Sequence, residues 1–170
     1  HPFFEIKGKK WGIIGLGEIG RGVANIASTF GADVSYYSTS GVNRSEGFQR
    51  TSLEKLLRES DIITVHAPLN EKTFNLLDYE QLLTCKDGAV VLNLGRGGII
   101  NESAVARLVD EKEIYFGLDV FENEPLNQKS PLLRVQNKNR LYLTPHIAWA
   151  SVEARDKLIA LVCENIKTTF

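Results

Sequence analysis

The chain has 170 residues, of which 43% are hydrophobic, so it is long enough for one compact domain with a substantial core. Its 20 Lys and Arg residues nearly balance its 21 Asp and Glu residues, and neither sign forms a block. This balance excludes the charge pattern of a nucleic-acid or acidic-membrane surface, so we expect neither kind of partner.

The sequence shows neither a membrane span nor a secretory leader. No apolar run approaches the roughly 20 residues that a span requires. Cys85 and Cys163 are far apart in helix-like apolar patterns, which favours buried thiols over a disulfide. We therefore expect a cytoplasmic protein. Because the chain starts with His-Pro-Phe-Phe and contains no methionine, we also expect it to be a piece of a longer protein.

Apolar, β-rich runs alternate with amphipathic helical patterns along the chain. The predicted strands are WGIIGL, ADVSYYS, DIITVHA, AVVLNLG, YFGLDV and RLYLTPH. Helices are predicted between them and from about Ser151 to the end, with Ser52 and Asn101 as N-caps. The polar segment 38–51 is predicted to be a loop. This alternation predicts an α/β fold: one Rossmann-type domain over residues 1–170, with a doubly wound parallel sheet.

A glycine-rich segment joins the first predicted strand to the first helix. It reads Gly15-Leu16-Gly17-Glu18-Ile19-Gly20 and matches the GxGxxG pattern of dinucleotide-binding proteins. Gly15 permits a tight turn, Gly17 lets the backbone approach a pyrophosphate, and Gly20 allows close packing of helix on strand. An unliganded glycine turn is the alternative, but the flanking elements favour dinucleotide binding. The Glu18 carboxylate should point away from the phosphates.

The end of the second predicted strand decides between two cofactors. An acid here would bind the ribose hydroxyls of NAD, but the sequence reads Tyr37-Ser38-Thr39-Ser40. Arg44, in the next loop, is either a ligand for the 2′-phosphate of NADP or a solvated loop charge. The choice between NAD and NADP therefore stays open.

Charged or titratable side chains follow the last three predicted strands: Arg96, Glu124 and His146. Each alone has an ordinary structural explanation. If these strands are neighbours, about 4.8 Å apart, the three side chains emerge at one edge of the sheet. A cation, a carboxylate and an imidazole beside a nicotinamide are what reduction of a 2-oxo acid requires. We expect Glu124 to raise the pKa of His146. No metal site is expected.

These residues also carry a family resemblance. The segments GLGEIGR, VHAPLNEKT, NLGRGG, GLDVFENEP and LTPHIAWAS resemble successive signatures of the NAD-binding domain of D-isomer-specific 2-hydroxyacid dehydrogenases. The form TPHIAWAS, together with YYSTSG, is most similar to the glycerate dehydrogenase or hydroxypyruvate reductase branch. The formate dehydrogenase branch is disfavoured because it carries Gln where Glu124 stands.

The resemblance implies a role for each site residue. Arg96 would bind the substrate carboxylate and carbonyl, His146 would be the general acid and base, and Glu124 would orient it. The implied cofactor-binding residues are Gly15, Gly17, Glu18, Ile19, Gly20, Ser38, Thr39, Ser40, Arg44, His66, Ala67, Pro68, Thr73, Leu94, Gly95, Arg96, Asp119 and His146. Asp119 would lie near the nicotinamide carboxamide. Trp149 either closes over the substrate or packs at a helix start.

The resemblance further implies a homodimer and two segments that this chain lacks: an N-terminal substrate domain and a C-terminal return segment. We therefore expect the isolated chain to bind cofactor but to turn over little. The expected reaction transfers a hydride between NAD(P) and C2 of a small 2-oxo or 2-hydroxy acid, such as hydroxypyruvate or D-glycerate. The alternative is a dinucleotide-sensing interaction module resembling the C-terminal-binding-protein corepressors of the same family.

Overall fold

The computed structural model describes residues 4–42 and 47–169. The strands are β1 Lys10–Ile14, β2 Asp33–Tyr37, β3 Gln49–Arg50, β4 Ile62–Val65, β5 Ala89–Asn93, β6 Ile114–Leu118 and β7 Leu141–Leu143. The helices are α1 Glu18–Thr29, α2 Leu53–Glu59, α3 Tyr79–Leu83, α4 Glu102–Glu111 and α5 Val152–Thr169. Two short 3₁₀ helices, Pro131–Arg134 and Lys138–Arg140, precede β7.

The strands form one seven-stranded sheet in the order β3-β2-β1-β4-β5-β6-β7. Every pairing is parallel. The order reverses between β1 and β4, and ligands of such sheets bind at this switch point, beyond the carboxyl ends of the strands. The predicted Rossmann-type fold is confirmed. So is the adjacency of the three predicted strands that precede Arg96, Glu124 and His146, which are β5, β6 and β7.

Apolar side chains cover the sheet on both faces. Ile13 packs with Ala24 and Ala27 of α1, whereas its neighbour Ile14 packs in the larger cluster on the other side. Successive strand residues point to opposite faces, so this division shows a sheet buried on both sides. The predicted caps are confirmed: Ser52 Oγ accepts from the Lys55 N–H, and Asn101 Oδ1 accepts from the Ser103 and Ala104 N–H groups.

Two sequence predictions are wrong. The segment predicted to be a loop, 38–51, contains the edge strand β3, whose two residues are too short and too polar to give an alternating pattern. Cys163 is exposed, whereas Cys85 is buried as expected. Cys163 lies on α5, which has no buried residue because it does not pack against the sheet.

Within residues 4–42 and 47–169, no helix has the length and apolarity needed to cross a membrane.

Candidate functional site

The glycine segment forms a close junction between β1, α1 and the end of β4. Gly15 has a φ of 91°, and a Cβ there would lie 2.7 Å from the Ala67 nitrogen. A Cβ at Gly20 would overlap the Gly15 carbonyl oxygen, whereas one at Gly17 would meet no atom within 4 Å. The space in front of Gly17 is therefore open, and the first-turn N–H groups of α1 face it without intrahelical partners. This arrangement fits a pyrophosphate.

Two adjoining clefts run along the carboxyl edge of the sheet. The first, of about 710 Å³, is lined by Gly15, Gly17, Thr39, Ser40, His66, Pro68, Asn70, Glu71 and Lys72. The second, of about 770 Å³, is lined by Ile19, Val23, His66, Ala67, Pro68, Leu69, Leu94, Gly95, Arg96, Ala148 and Trp149. His66 and Pro68 belong to both, so the clefts form one elongated groove on the two sides of the switch point. Most of the predicted cofactor-binding residues therefore share one groove.

Two buried polar atoms on this edge have no hydrogen-bond partner in the described part of the chain, Ser38 Oγ and His66 Nε2. A buried polar atom without a partner is costly, so each is suited to an incoming ligand. Burial also lowers the pKa of His66, which keeps its imidazole neutral. The glycine junction and these two atoms fit a dinucleotide.

Two other predicted cofactor residues, Thr73 and Glu18, are not among the residues that line the groove. Thr73 is buried, and its hydroxyl closes its own loop by donating to the Pro68 carbonyl at 2.6 Å. Glu18 is exposed at the start of α1, consistent with a carboxylate turned to solvent. Arg44 lies outside the described residues.

His146 and Glu124 form a hydrogen-bonded pair. Nδ1 of His146 lies 2.7 Å from Oε2 of Glu124. Glu124 Oε1 accepts from the Phe121 N–H at 3.0 Å, which fixes the carboxylate. The hydrogen bond with His146, and then that from Phe121, hold the pKa of Glu124 below its ordinary value. An ionised carboxylate only accepts, so Nδ1 carries a proton and Nε2 remains for proton exchange.

Asp119, at the end of β6, organises the turn that carries His146. Its carboxylate accepts from the Thr144 hydroxyl at 2.6 Å and from the Ile147 and Ala148 N–H groups, each at 2.9 Å. Burial alone would raise the pKa of Asp119, but these hydrogen bonds hold it below its ordinary value. Within this turn His146 has a φ of 54°, a left-handed conformation that non-glycine residues rarely adopt. The turn therefore depends on Asp119.

Arg96 is exposed at the tip of the loop after β5 and lines the second cleft with Trp149. Buried Asn93, at the end of β5, donates to the Arg96 carbonyl at 2.8 Å and accepts from the Gly95 N–H. A Cβ at Gly97 would overlap the Phe121 carbonyl, so this glycine lets the loops after β5 and β6 pack together. Sequence reasoning missed Asn93, although a polar residue ending an apolar strand was a visible signal.

Trp149 lies at the mouth of the second cleft. Its indole N–H donates to the His146 carbonyl at 3.0 Å, and half of its surface is exposed. Of the two explanations weighed from the sequence, packing at a helix start is wrong, because the ring lies on the cleft wall with Arg96 and Leu94.

Within residues 4–42 and 47–169, no group of three or more His, Cys, Asp and Glu side chains is placed to hold a metal ion.

The switch-point groove and its glycine junction define the class of the molecule, a dinucleotide-binding domain of Rossmann type. Comparison with known sequences narrows this class. The sequence model of the D-isomer specific 2-hydroxyacid dehydrogenase NAD-binding domain matches residues 1–148, and the chain belongs to that family. The resemblance found in the sequence motifs is thus confirmed.

Individual relatives and solved structures are consistent with this family. A glyoxylate reductase of Aeropyrum pernix is 39% identical, with 98% of this chain and 51% of the relative covered. A hydroxypyruvate reductase of Blautia hydrogenotrophica is 35% identical, with coverage of 98% and 52%. The solved structure of an acyclic imino acid reductase in complex with NADPH and D-Arg is 34% identical, with coverage of 98% and 52% and a TM-score of 0.86. The chain therefore spans about half the length of the relatives it matches.

Proposed function

We propose that the complete protein containing this chain is an NAD(P)-dependent reductase of small 2-oxo acids, with glyoxylate and hydroxypyruvate as its substrates. One observation carries the proposal: the His146–Glu124 pair, at 2.7 Å, lies beyond the ends of β6 and β7, and His146 comes two residues before Ala148, which lines the groove together with Trp149. The relatives described as glyoxylate reductase and hydroxypyruvate reductase support this substrate class.

Backbone and small side chains of this chain would hold the cofactor. The turn at Gly15 and Gly17 would receive the pyrophosphate, and Ser38, Thr39 and Ser40 the adenosine ribose. His66, Ala67, Pro68, Leu94 and Gly95 would line the path toward the nicotinamide. When bound, the reduced nicotinamide supplies a hydride, and its oxidised form accepts one.

His146 would exchange the proton that accompanies the hydride. In reduction, its Nε2–H donates to the substrate oxygen; in oxidation, neutral Nε2 accepts the hydroxyl proton. Glu124 fixes the orientation of the ring through its hydrogen bond with Nδ1. Asp119 then acts on the turn rather than on the substrate, since its carboxylate is occupied by Thr144, Ile147 and Ala148.

Arg96 would bind the substrate carboxylate. Its planar guanidinium offers donors that match two carboxylate oxygens. The Asn93 and Gly97 contacts described above position its loop beside the loop that carries Glu124. A small anionic acid between Arg96 and His146 would present its carbonyl oxygen to Nε2.

The corepressor-like alternative gains no support from the relatives named above, which are all described as reductases.

We further propose a cytoplasmic homodimer that associates through this domain. Two apolar side chains support this: Ile26 on α1 and Phe30, directly after α1, are 61% and 63% exposed. Sedimentation of the purified chain tests it, and a monomer at all concentrations would contradict it.

The activity is tested with the complete protein and both reduced cofactors, against glyoxylate, hydroxypyruvate and pyruvate. Loss of reduced nicotinamide absorbance is the measurement. We expect turnover with glyoxylate and hydroxypyruvate and formation of the D-isomer of glycerate from the latter. Cofactor binding without turnover of any 2-oxo acid would contradict the proposed activity.

A further inference from the structure

The adenosine end of the groove has an unusual charge pattern. The sequence contains no Asp or Glu from Val34 to Ser45, so no carboxylate at the end of β2 can accept from a ribose 2′-hydroxyl. In place of an acid stands Ser38, which is only 4% exposed and whose Oγ has no partner in the described part of the chain. A serine at this point admits an anion that an aspartate would repel.

A cation reaches the same turn from the neighbouring strand. Arg50 is on β3, paired with Tyr36 of β2. Its Nη1 donates to the Gly41 carbonyl at 3.2 Å, and its Nη2 would lie 3.9 Å from a Cβ on Gly41. The turn itself is closed by the Gly41 N–H, which donates to the Ser38 carbonyl at 3.3 Å. The guanidinium therefore lies over the Ser38–Gly41 turn, two members of which, Thr39 and Ser40, line the groove.

Among the residues that the structure describes, the other charges lining this cleft offset one another. Glu71 and Lys72 line the first cleft together with Thr39 and Ser40. Their formal charges sum to zero. A guanidinium has five N–H donors, so the single bond to Gly41 leaves donors for a ligand. Arg50 thus gives the turn its positive charge.

We propose that Arg50 is a specificity residue that selects a 2′-phosphorylated dinucleotide, NADP(H), over NAD(H). The inference rests on the proposed function, because it requires the adenosine ribose to lie on the Ser38–Gly41 turn. The 2′-phosphate carries about −1.5 to −2 charges at neutral pH. Arginine donates to two phosphate oxygens at once, whereas an unphosphorylated ribose gains nothing from the cation.

A purely structural explanation predicts something different. If Arg50 only braces the turn through Gly41, its loss disturbs the ribose site for both cofactors equally. If it binds the phosphate, its loss affects NADPH alone. Arg50→Gln separates the two, because glutamine keeps an amide donor for Gly41 but has no charge. Arg134→Ala is the matched control, since it removes an exposed arginine at the opposite end of the molecule, beside α4.

The experiment titrates the purified chain and its variants with NADPH and NADH, following nicotinamide fluorescence. We expect the wild-type chain to bind NADPH at least about tenfold more tightly than NADH. Arg50→Gln and Arg50→Ala should each weaken NADPH binding by about tenfold or more and leave NADH binding unchanged. Added salt should weaken NADPH binding more than NADH binding, and Arg134→Ala should alter neither affinity.

Three results would overturn the inference. Tighter binding of NADH than of NADPH would do so, as would an equal loss of both cofactors in the Arg50 variants or no loss in either. In each case NADH still binds and the proposed function stands. If neither dinucleotide binds the wild-type chain, the proposed function fails as well. Circular dichroism of each variant verifies that its fold is retained.

Discussion

The two ends of the groove are built in different ways. At the phosphate end, six consecutive residues, Gly15 to Gly20, place backbone N–H groups around an open space. At the end proposed for proton transfer, Arg96, Glu124 and His146 follow three separate strands. The backbone or side chain at each of these strand ends is fixed by a hydrogen bond, from Asn93, from Phe121 and to Asp119 respectively. The first end needs local sequence only, whereas the second needs the topology of the sheet. Substitutions should therefore damage the two ends separately.

The largest effect is expected at His146. In the complete protein, His146→Gln should lower kcat by about 10² to 10⁴, because the amide cannot exchange the proton. Affinity for the reduced cofactor should change by less than about twofold, since the phosphate end is intact. Steady-state kinetics and cofactor titration measure the two quantities. Wild-type turnover in this variant would remove His146 from its proposed role.

A smaller loss is expected at Glu124. Glu124→Gln should lower kcat for reduction by about tenfold or more, because it removes the carboxylate that orients the imidazole. The hydrogen bond with His146, and then that from Phe121, lower the pKa of Glu124, so wild-type activity should fall as the pH drops through that lowered value, whereas the variant has no carboxylate there to protonate. The pH profile of kcat/KM is the measurement, with the exposed neighbour Glu122→Gln as control. An unmoved profile would show that Glu124 does not act through His146.

Asp119→Asn tests how much the Asp119 carboxylate stabilises the turn that carries His146. The amide cannot accept all the bonds from Thr144, Ile147 and Ala148, so we expect a loss of about 1.5–3 kcal/mol in the free energy of unfolding. The folded-state pKa of Asp119 is lowered, so its contribution is complete above its unfolded-state pKa and is lost as the pH falls through the folded value. The difference between wild type and variant should therefore start to narrow below about pH 4 and close only as the pH falls through the lowered folded-state pKa. Urea unfolding at several pH values measures this.

The smallest effects concern the glycines. Gly97→Ala should destabilise the chain by about 1–3 kcal/mol, because its Cβ would overlap the Phe121 carbonyl. Gly22→Ala is the control: its Cβ would meet no atom within 4 Å, and alanine in a helix should add about 1 kcal/mol. Thermal unfolding compares the two. Equal shifts of the same sign would mean that the loops after β5 and β6 are not tightly packed.

Sequence patterns predicted the strands that are long and apolar, because burial on both faces leaves a continuous hydrophobic run. They missed β3, whose two residues carry no periodic signal. They predicted a site at the ends of β5, β6 and β7, strands that the structure places side by side, but did not identify which polar groups hold each loop. Asn93, a polar residue at the end of an apolar strand, was a visible signal that sequence reasoning passed over. The proposed role of Arg50 depends on its contact with Gly41 across a turn, and no local pattern encodes that contact.

The left-handed backbone of His146 has a further consequence. Such a conformation costs a non-glycine residue of order 1–3 kcal/mol, and glycine would relieve that strain. A chain optimised only to resist unfolding would therefore not keep an imidazole at this position. His146→Gly should accordingly be more stable than His146→Ala. At this one residue, the chain is less stable than it could be because it keeps the imidazole.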